Sequence, residues 1–346
     1  MKNIKVKFLI LLVAIIASCQ NKKMENQTQF IYEVSVTAPE EYPVEVYLGY
    51  LSKDKDFITT VPKTGVEKQG WIYYGASGMS GGSIMPNFLE VTWLSYAEKK
   101  FWKLETALPQ EKILALFREG FTFVDNRDND RVSHQTYNQI IIGTAPGGVV
   151  VIWLDGGLKR VEIGRYQAKE VYVDKLNFQP VKYTDQSQQE FLDTKYEILV
   201  SDTVRKKIEK EGIPFGLWDS YRERYNWRYS FSFLKKDKEK FVSITFFNGE
   251  FIILYADELD KKLFRTMALP IQSNLTFENY NCEVEFNEKE IFDAFKTLST
   301  KHPGKNIEIE VRPAFMYKTT TFSVKCEGEE IPLEKTEVKM WKNHHD

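Results

Sequence analysis

Ser80 is the residue whose neighbours most resemble a catalytic motif. It stands in GMSGG at positions 78–82, with a glycine two residues before it and two after it, as in the nucleophile elbow of serine hydrolases. An elbow needs a helix after the serine, whereas strand-like alternation follows Pro86. We therefore expect a flexible Gly/Ser loop here. A hydrolase that uses Ser80 or a pair of carboxylates remains the alternative, because the separation of two carboxylates is decided by folding.

Three acidic residues, Asp125, Asp128 and Asp130, cluster in DNRDNDR at positions 125–131. Their oxygens suit calcium, but the stretch lacks the glycine and the bidentate glutamate of an EF-hand loop. We expect a solvated charged loop and no metal site. Zinc spacing, a Walker loop and a dinucleotide fingerprint are missing from the sequence, so we expect no cofactor.

Aromatic side chains and arginines are mixed in WDSYRERYNWRY at positions 218–229. This mixture is enriched at interface hot spots. The alternative is that the aromatic rings lead into a strand and pack in the core while the arginines face water. The candidate interaction residues here are Trp218, Tyr221, Arg222, Arg224 and Tyr225.

Glycines punctuate GTAPGGVVVIWLDGG at positions 143–157. No helix follows them that could seat a phosphate at its N-terminus, so we interpret them as turn residues that permit a positive φ. Gly147 and Gly148 also permit close backbone approach by a partner, and they are kept as candidate interaction residues.

The amino terminus carries the strongest chemical signal of the chain. Three lysines precede the apolar run from Phe8 to Ala17, which is too short to span a bilayer. Ile16, Ala17 and Ser18 directly before Cys19 resemble the lipobox of bacterial lipoproteins, in which the cysteine is acylated and the peptide is cut before it. We predict a signal peptide at 1–18 and a lipidated Cys19 that begins a tether at 19–29.

Charge and cysteine content narrow the choice of partners. Removal of residues 1–18 takes away three lysines and leaves 44 basic against 49 acidic residues, a net charge of −5 before histidines. No basic excess neutralises phosphates, so we expect no nucleic-acid partner. Cys282 and Cys326 remain, and outside the cytoplasm they can form either a disulfide or two buried thiols.

The elements that must position these residues are mostly strands. Alternation predicts one hairpin from Tyr32 to Leu51, turning between Pro39 and Pro43, and another around residues 88–108. A helix then begins after Pro109 and ends at Gly120, and short strands follow. The second half repeats this order, with hairpins at 227–247 and 274–286 and a helix capped by Asn287.

Both halves share the order hairpin, hairpin, helix, strands, which predicts an α+β fold of mostly antiparallel, half-polar sheet with one packed amphipathic helix in each half. The apolar positions of Val44 and Val46 correspond to those of Val242 and Ile244. The predicted organisation is a first α+β repeat at 30–180, a connecting segment at 181–226 and a second repeat at 227–346.

Four stretches together resemble a known family. They are WLSYAEKKFWKLETALPQEKILALFREG, IIIGTAPGGVVVIWLDGG, IGRYQAKEV and GLWDSYRERYNW, in this order along the chain. Their sequence is similar to bacterial lipoproteins grouped as domain of unknown function 2931, over a region from about Tyr32 to near the end. The resemblance implies a secreted, lipid-anchored protein and no particular substrate or catalytic residue.

The functional expectation is a non-catalytic binding or interaction protein of the cell envelope, such as an inhibitor or immunity-type protein. Its partners would be the membrane, through Cys19, and an envelope protein or glycan. Asp is not the residue at position 20, which favours the outer membrane over the inner membrane. The protein would face the periplasm or the cell surface.

Overall fold

The structure is a computed structural model that describes residues 27–73, 75–125, 131–180, 185–233, 237–314 and 317–343. Strands make up 48% and helices 20% of the described residues. The sheets are rich in antiparallel pairs, as the sequence predicts. Among the described residues, no helix is long and apolar enough to cross a membrane.

The chain divides into two compact units. Among the described residues, the first unit holds those within 27–70, 75–157 and 163–206, and the second holds those within 71–73, 158–162 and 207–343. The expected connecting segment at 181–226 is therefore divided between the units near Lys206. Two short segments of the first half belong to the second unit.

The described residues of the first unit form thirteen strands and three helices, together with the start of a fourth helix. They are β1 (Gln29–Thr37), β2 (Val44–Lys53), β3 (Asp56–Thr60), β4 (Val66–Glu67), β5 (Ala76–Ile84), β6 (Phe88–Ser95), β7 (Lys100–Ala107), α1 (Gln110–Glu119), β8 (Phe121–Asp125), β9 (Arg131–Gln135), β10 (Gln139–Ala145), β11 (Val149–Asp155), most of β12 (Arg160–Gln167), β13 (Lys169–Val171), α2 (Lys175–Phe178), α3 (Gln188–Leu199) and the start of α4 (Asp202–Glu211).

Two sheets organise these strands. One has the order β12-β11-β10-β1-β5, and the other has the order β13-β7-β6-β2-β3, with β4 also paired to β2. Strand β1 runs parallel to β10, whereas β1–β5 and β10–β11 are antiparallel. Strands β8 and β9 form a separate two-stranded hairpin directly after α1.

The core of the first unit lies around β10 and β11. Every residue of β11 is buried, and so is every residue of β10 after Gln139. The expectation of half-polar strands is therefore wrong for this pair, because both faces of the strands are covered. Helix α1 contributes Ile113 and Phe117, and the ring of Phe117 packs on Phe30 and Tyr32 of β1.

Where the structure describes it, the second unit contains ten further strands and three further helices. They are α5 (Leu217–Ser220), β14 (Tyr225–Phe231), β15 (Glu239–Phe246), β16 (Phe251–Tyr255), α6 (Ala256–Asp260), β17 (Arg265–Met267), β18 (Pro270–Phe277), β19 (Tyr280–Glu285), α7 (Glu288–Lys301), β20 (Ile307–Pro313), β21 (Thr320–Cys326), β22 (Glu329–Leu333) and β23 (Glu337–Lys342).

The strands of the second unit also form two sheets, in the orders β23-β19-β18-β15-β16 and β17-β14-β20-β21-β22. Strand β14 runs parallel to β20, and Arg160 pairs with Phe251 at the edge of the first of these sheets. Helix α7 buries Ile291, Ala294, Phe295 and Leu298 in a common core with both sheets, as the sequence predicts. The Asn287 side chain accepts a hydrogen bond from the Glu290 N–H at 3.1 Å, which confirms the predicted cap.

The predicted hairpins with short turns are confirmed, whereas the predicted hairpins with longer connections are wrong. Strands β6–β7 and β18–β19 pair around short turns. In contrast, β1 and β2 lie in different sheets, and so do β14 and β15. The link after β1 contains Pro39 and Pro43, which have no N–H for a ladder, so the chain passes from one sheet to the other instead of folding back.

Candidate interaction site

The aromatic and arginine-rich segment at 218–229 begins in the short helix α5 and continues into β14. Gly216 precedes α5 with a φ of +85°, a left-handed conformation that glycine adopts without a Cβ penalty. The alternation of β14 then directs Trp227 and Tyr229 to one face. Both side chains are buried, the Trp227 Nε1–H donates to the Ala268 carbonyl at 3.0 Å, and the Tyr229 hydroxyl is 2.8 Å from the Ser273 hydroxyl.

Most of the predicted interaction aromatics pack inside the second unit. Trp218 is buried, with its ring 6.4 Å from that of Trp71. Tyr221 is half-buried against Phe247 and Phe292, with ring centroids 5.3 and 5.9 Å away. The interface interpretation is therefore wrong for the Trp218 ring, because the tertiary fold supplies it with an aromatic neighbour from a distant part of the chain.

Tyr225 has a mixed environment. Its ring packs 5.2 Å from Phe295, and its hydroxyl donates to Glu223 at 3.1 Å. Burial, reinforced by this carboxylate, raises the pKa of Tyr225 to about 12. Tyr225 therefore stays protonated at physiological pH and acts as a hydrogen-bond donor.

Both candidate arginines are engaged by carboxylates. The Arg222 guanidinium binds the Glu162 carboxylate in a bidentate manner, with Nε 3.0 Å from Oε2 and Nη2 2.7 Å from Oε1. This hydrogen bonding raises the pKa of Arg222. Arg224 binds Glu250 through Nη2 at 2.6 Å.

The two carboxylates are connected to each other through the main chain. The Glu162 N–H donates to Glu250 Oε1 at 3.1 Å, and the Asn248 amide, which is fully buried, donates to Glu250 Oε2 at 2.9 Å. Arg160 is also buried, and its Nη1 donates to the Ile72 carbonyl at 3.0 Å. We call Arg160, Glu162, Arg222, Arg224, Asn248 and Glu250 the arginine–glutamate cluster.

Sequence reasoning missed four members of this cluster: Arg160, Glu162, Asn248 and Glu250. Their weak signals are charged residues directly after a glycine turn in GGLKRVE and an Asn-Gly turn in FNGE. Neither signal indicates that the two turns meet, because their contact depends on pairing across the second unit.

Two exposed rings flank the cluster in sequence. Phe215 is 63% exposed three residues before Trp218, and Tyr73 is 57% exposed two residues after Trp71. Aromatic rings and guanidinium groups at a surface can pack on protein side chains or stack on sugars. We call Tyr73, Phe215, Tyr221, Arg222 and Arg224 the arginine–aromatic surface.

The cluster is poorly arranged for acid–base catalysis. Glu162 is held by both nitrogens of the Arg222 fork, and Glu250 by Arg224 and Asn248. The oxygens of both carboxylates already accept hydrogen bonds from the protein's own donors. The geometry instead fixes the position of the two guanidinium groups.

Gly147 and Gly148 turn between β10 and β11 with φ values of +82° and +71°. The Gly147 N–H donates to Glu98 Oε1 at 2.9 Å, and Glu98 Oε2 accepts the Trp102 indole N–H at 3.1 Å. A Cβ on Gly148 would lie 2.6 Å from Trp102 Cε3. The protein's own Trp102 and Glu98 therefore make the close approach that these glycines permit.

The main chain of Ser80 lies in strand β5, which pairs antiparallel with β1. The expectation of a flexible loop is wrong at this position. Strand β5 continues to Ile84 and is followed by β6, so the strand–turn–helix arrangement of a nucleophile elbow is not formed around Ser80.

Three other sequence features concern metal binding and the cysteines. Within the part of the chain that the structure describes, no group of three His, Cys, Asp or Glu side chains is placed to hold a metal ion. Asp128 and Asp130 lie outside the described residues, as does the side chain of Asp125. Cys282 and Cys326 are unbonded and buried, and burial raises the pKa of Cys282 to about 11.

Comparison with known proteins identifies the family. The family model described as "Protein of unknown function (DUF2931)" matches residues 19–216, which is 198 of the 346 residues. The chain belongs to the DUF2931 family. The DUF2931 match includes Trp71, Arg160 and Glu162 and ends before Arg222 and Arg224, so the cluster joins residues inside and outside the matched region. Searches of curated proteins and of solved structures each found no match.

Proposed function

We propose that this DUF2931 protein is anchored in the bacterial envelope by a lipid on Cys19 and binds an envelope protein or glycan without catalysing a reaction. The binding site would be the arginine–aromatic surface. Lipobox residues before Cys19 support the anchor, and the anchor supports placement at the outer membrane, facing the periplasm or the cell surface. An inhibitor or immunity-type role fits a protein of this kind.

The observation that carries the proposal is the contrast between Phe215 and Trp218. Within one short segment Trp218 is buried, whereas Phe215, three residues before it, is 63% exposed. The same segment continues to Arg222 and Arg224, whose guanidinium groups are held in place by ion pairs. Preorganised arginines and exposed aromatic rings bind partners at little cost in conformational entropy.

A photo-crosslinking experiment tests this surface. A photoreactive phenylalanine analogue replaces Phe215 in the full chain, and the same analogue replaces Ile198, an exposed residue of α3, as the matched control. We expect a crosslinked envelope component, identified by mass spectrometry, at position 215 and not at 198. The crosslink should weaken when Tyr73→Ala is added. Equal products at both positions would contradict the proposed surface.

The alternative of an envelope hydrolase would require Ser80 or a carboxylate pair to react. The described geometry favours it less, because Glu162 and Glu250 are each neutralised by arginine. An envelope hydrolase activity that Ser80→Ala abolishes in a folded protein would favour this alternative over the binding role.

We also infer that the two halves arose by duplication. The order β5-β1-β10-β11-β12 in the first unit has the same sequence of connections as β17-β14-β20-β21-β22 in the second, including one parallel pair in each. The order β3-β2-β6-β7-β13 corresponds in the same way to β16-β15-β18-β19-β23.

Buried positions support the same correspondence. Ile113 and Phe117 of α1 occupy the places of Ile291 and Phe295 of α7, and all four are fully buried. An experimental structure in which β14 and β20 were not parallel neighbours would contradict the duplication.

A further inference from the structure

One sheet of the second unit has a face that points away from the core of that unit. The sheet has the order β23-β19-β18-β15-β16. Alternate residues of its strands, such as Val242 of β15 and Leu275 of β18, are buried in the core. Successive side chains of a strand point to opposite faces, so the residues between these lie on the other face of the sheet.

On this outer face, one row of side chains crosses all five strands in register. Phe241 pairs with Tyr255 and with Thr276. Asn281 pairs with Thr276 and with Trp341. Cross-strand partners share a face of the sheet, so all five side chains are outward. We call Tyr255, Phe241, Thr276, Asn281 and Trp341 the aromatic row.

Aromatic rings occupy both ends of the aromatic row. Trp341 of β23 is 46% exposed. At the other end, Phe241 and Tyr255 are half-buried, and their ring centroids are 6.4 Å apart. Adjacent strands are about 4.8 Å apart, so the three strand spacings from Phe241 to Trp341 amount to about 14 Å. A ligand that contacts both ends is therefore an extended chain and not a single small ring.

Uncharged hydrogen-bonding groups lie between the two ends. Asn274 is exposed, two residues before Thr276 on the same face of β18, and Gln272 takes the next outward position. Among the described residues, the side chains of Gln272, Asn274 and Thr276 make no hydrogen bond to another protein group. Amide and hydroxyl groups both donate and accept, and the hydroxyl groups of a sugar do the same. The middle of the row therefore matches the polar edges of a glycan.

The charges on this face disfavour a polyanionic partner. Glu283 forms an ion pair with Lys339, with Lys339 Nζ 3.5 Å from Glu283 Oε1. Glu285 and Glu337 face each other across β19 and β23 and add negative charge to the same face. These described residues provide no basic excess to hold phosphate or sulfate groups. An uncharged chain meets no such repulsion.

We propose that this face binds an extended, uncharged oligosaccharide. One sugar ring packs on Trp341, another packs on the Phe241 and Tyr255 rings, and Asn274 and Thr276 hydrogen-bond to the hydroxyl groups between them. The apolar faces of aromatic rings and the apolar C–H faces of sugars exclude water from each other. This site goes beyond the proposed function, because it shares no residue with the arginine–aromatic surface.

Isothermal titration of the full chain tests the site, with β-1,4-linked hexamers of glucose and of N-acetylglucosamine as probes. We expect at least one hexamer to bind. Trp341→Ala should raise its Kd about tenfold through the loss of ring packing, and Trp341→Phe should retain most of the affinity. Asn274→Ala should raise the Kd about fivefold, as for the loss of one hydrogen bond.

Tyr172→Ala is the matched control, because Tyr172 is an aromatic residue of the first unit that is 74% exposed. It should leave the Kd unchanged, and all variants should keep a cooperative thermal unfolding transition. Failure of both hexamers to bind at millimolar concentration would overturn the site. So would equal effects of Trp341→Ala and Tyr172→Ala, or tighter binding of a sulfated hexamer. The Phe215 crosslink addresses other residues, so failure of the proposed function is distinguishable from failure of this site.

Discussion

Arg222 and Glu162 form the best-aligned ion pair of the arginine–glutamate cluster, and Glu162 is largely shielded from water. Arg222→Ala would remove the guanidinium hydrogen bonds from the shielded carboxylate of Glu162. We expect a loss of about 2–3 kcal/mol in the free energy of unfolding, measured by urea denaturation, as for other hydrogen bonds to charged groups. Lys289→Ala removes an exposed pair with Asp293 and should cost less than about 1 kcal/mol. Equal effects would contradict a structural role for the cluster.

Gly148 offers a matched comparison with Gly157. Both have a positive φ, but a Cβ on Gly148 would overlap the Trp102 ring, whereas a Cβ on Gly157 would meet nothing within 4 Å. Gly157→Ala should cost about 1–2 kcal/mol from the backbone conformation alone. Gly148→Ala should cost more, seen as a lower midpoint of thermal unfolding. If the two variants unfolded at the same temperature, Trp102 would not be packed on Gly148.

At the scale of residues, sequence patterns located important positions but not their surroundings. The sequence predicts that the segment around Trp218 takes part in interactions, and two of its residues, Arg222 and Arg224, belong to the arginine–glutamate cluster. The Trp218 ring is buried because Trp71, from a distant part of the chain, packs against it. The sequence shows where an aromatic residue stands. Whether its ring is buried in the core or exposed to a partner depends on packing with distant parts of the chain.

The outward face of strands β20, β21 and β22 carries a continuous ion-pair network. Arg312 binds Glu310 and Glu330, and Lys325 also binds both carboxylates. Hydrogen bonding from Arg312 is the largest influence on Glu330, and it lowers the pKa of that carboxyl to about 2. The ionised carboxylate therefore stabilises the folded sheet.

This network predicts a specific dependence on pH. The pKa of Glu330 is lowered from 4.5 to about 2 on folding, so its contribution is fully present above pH 4.5 and is lost as the pH falls through 2. Glu330→Gln should therefore be less stable than the wild type by up to about 1 kcal/mol at pH 6, allowing for solvent screening. The difference should disappear near pH 2. A difference independent of pH would contradict this assignment.

At the scale of elements, local structure was predictable and non-local pairing was not. Helices α1 and α7 and the hairpins β6–β7 and β18–β19 follow from periodicity and short turns, because their contacts are close in sequence. The hairpins β1–β2 and β14–β15 were wrong. Strand β1 pairs parallel with β10, and alternation within a single strand contains no information about a partner that lies so far along the chain.

For the whole molecule, lipidation makes the firmest prediction. Cys19→Ala should move the protein from the membrane pellet to the soluble fraction, because removal of the acylated residue removes the anchor. Cell fractionation followed by immunoblotting measures this. Cys282→Ala, which alters a buried thiol and leaves the lipobox intact, should leave the protein in the pellet. Retention of the Cys19 variant in the pellet would argue against lipidation.

Residues 71–73 and 158–162 belong to the second unit although the chain supplies them early. Ribosomes synthesise Trp71 and Arg160 long before Trp218 and Gly249, which pack against the Trp71 ring and accept from the Arg160 guanidinium. A nascent chain interrupted at Gly216 would therefore display an indole ring and a guanidinium group without these partners. Because the Trp218 ring that packs on Trp71 comes from the last part of the chain, we expect such a fragment to be cleaved by proteases faster than the full-length protein.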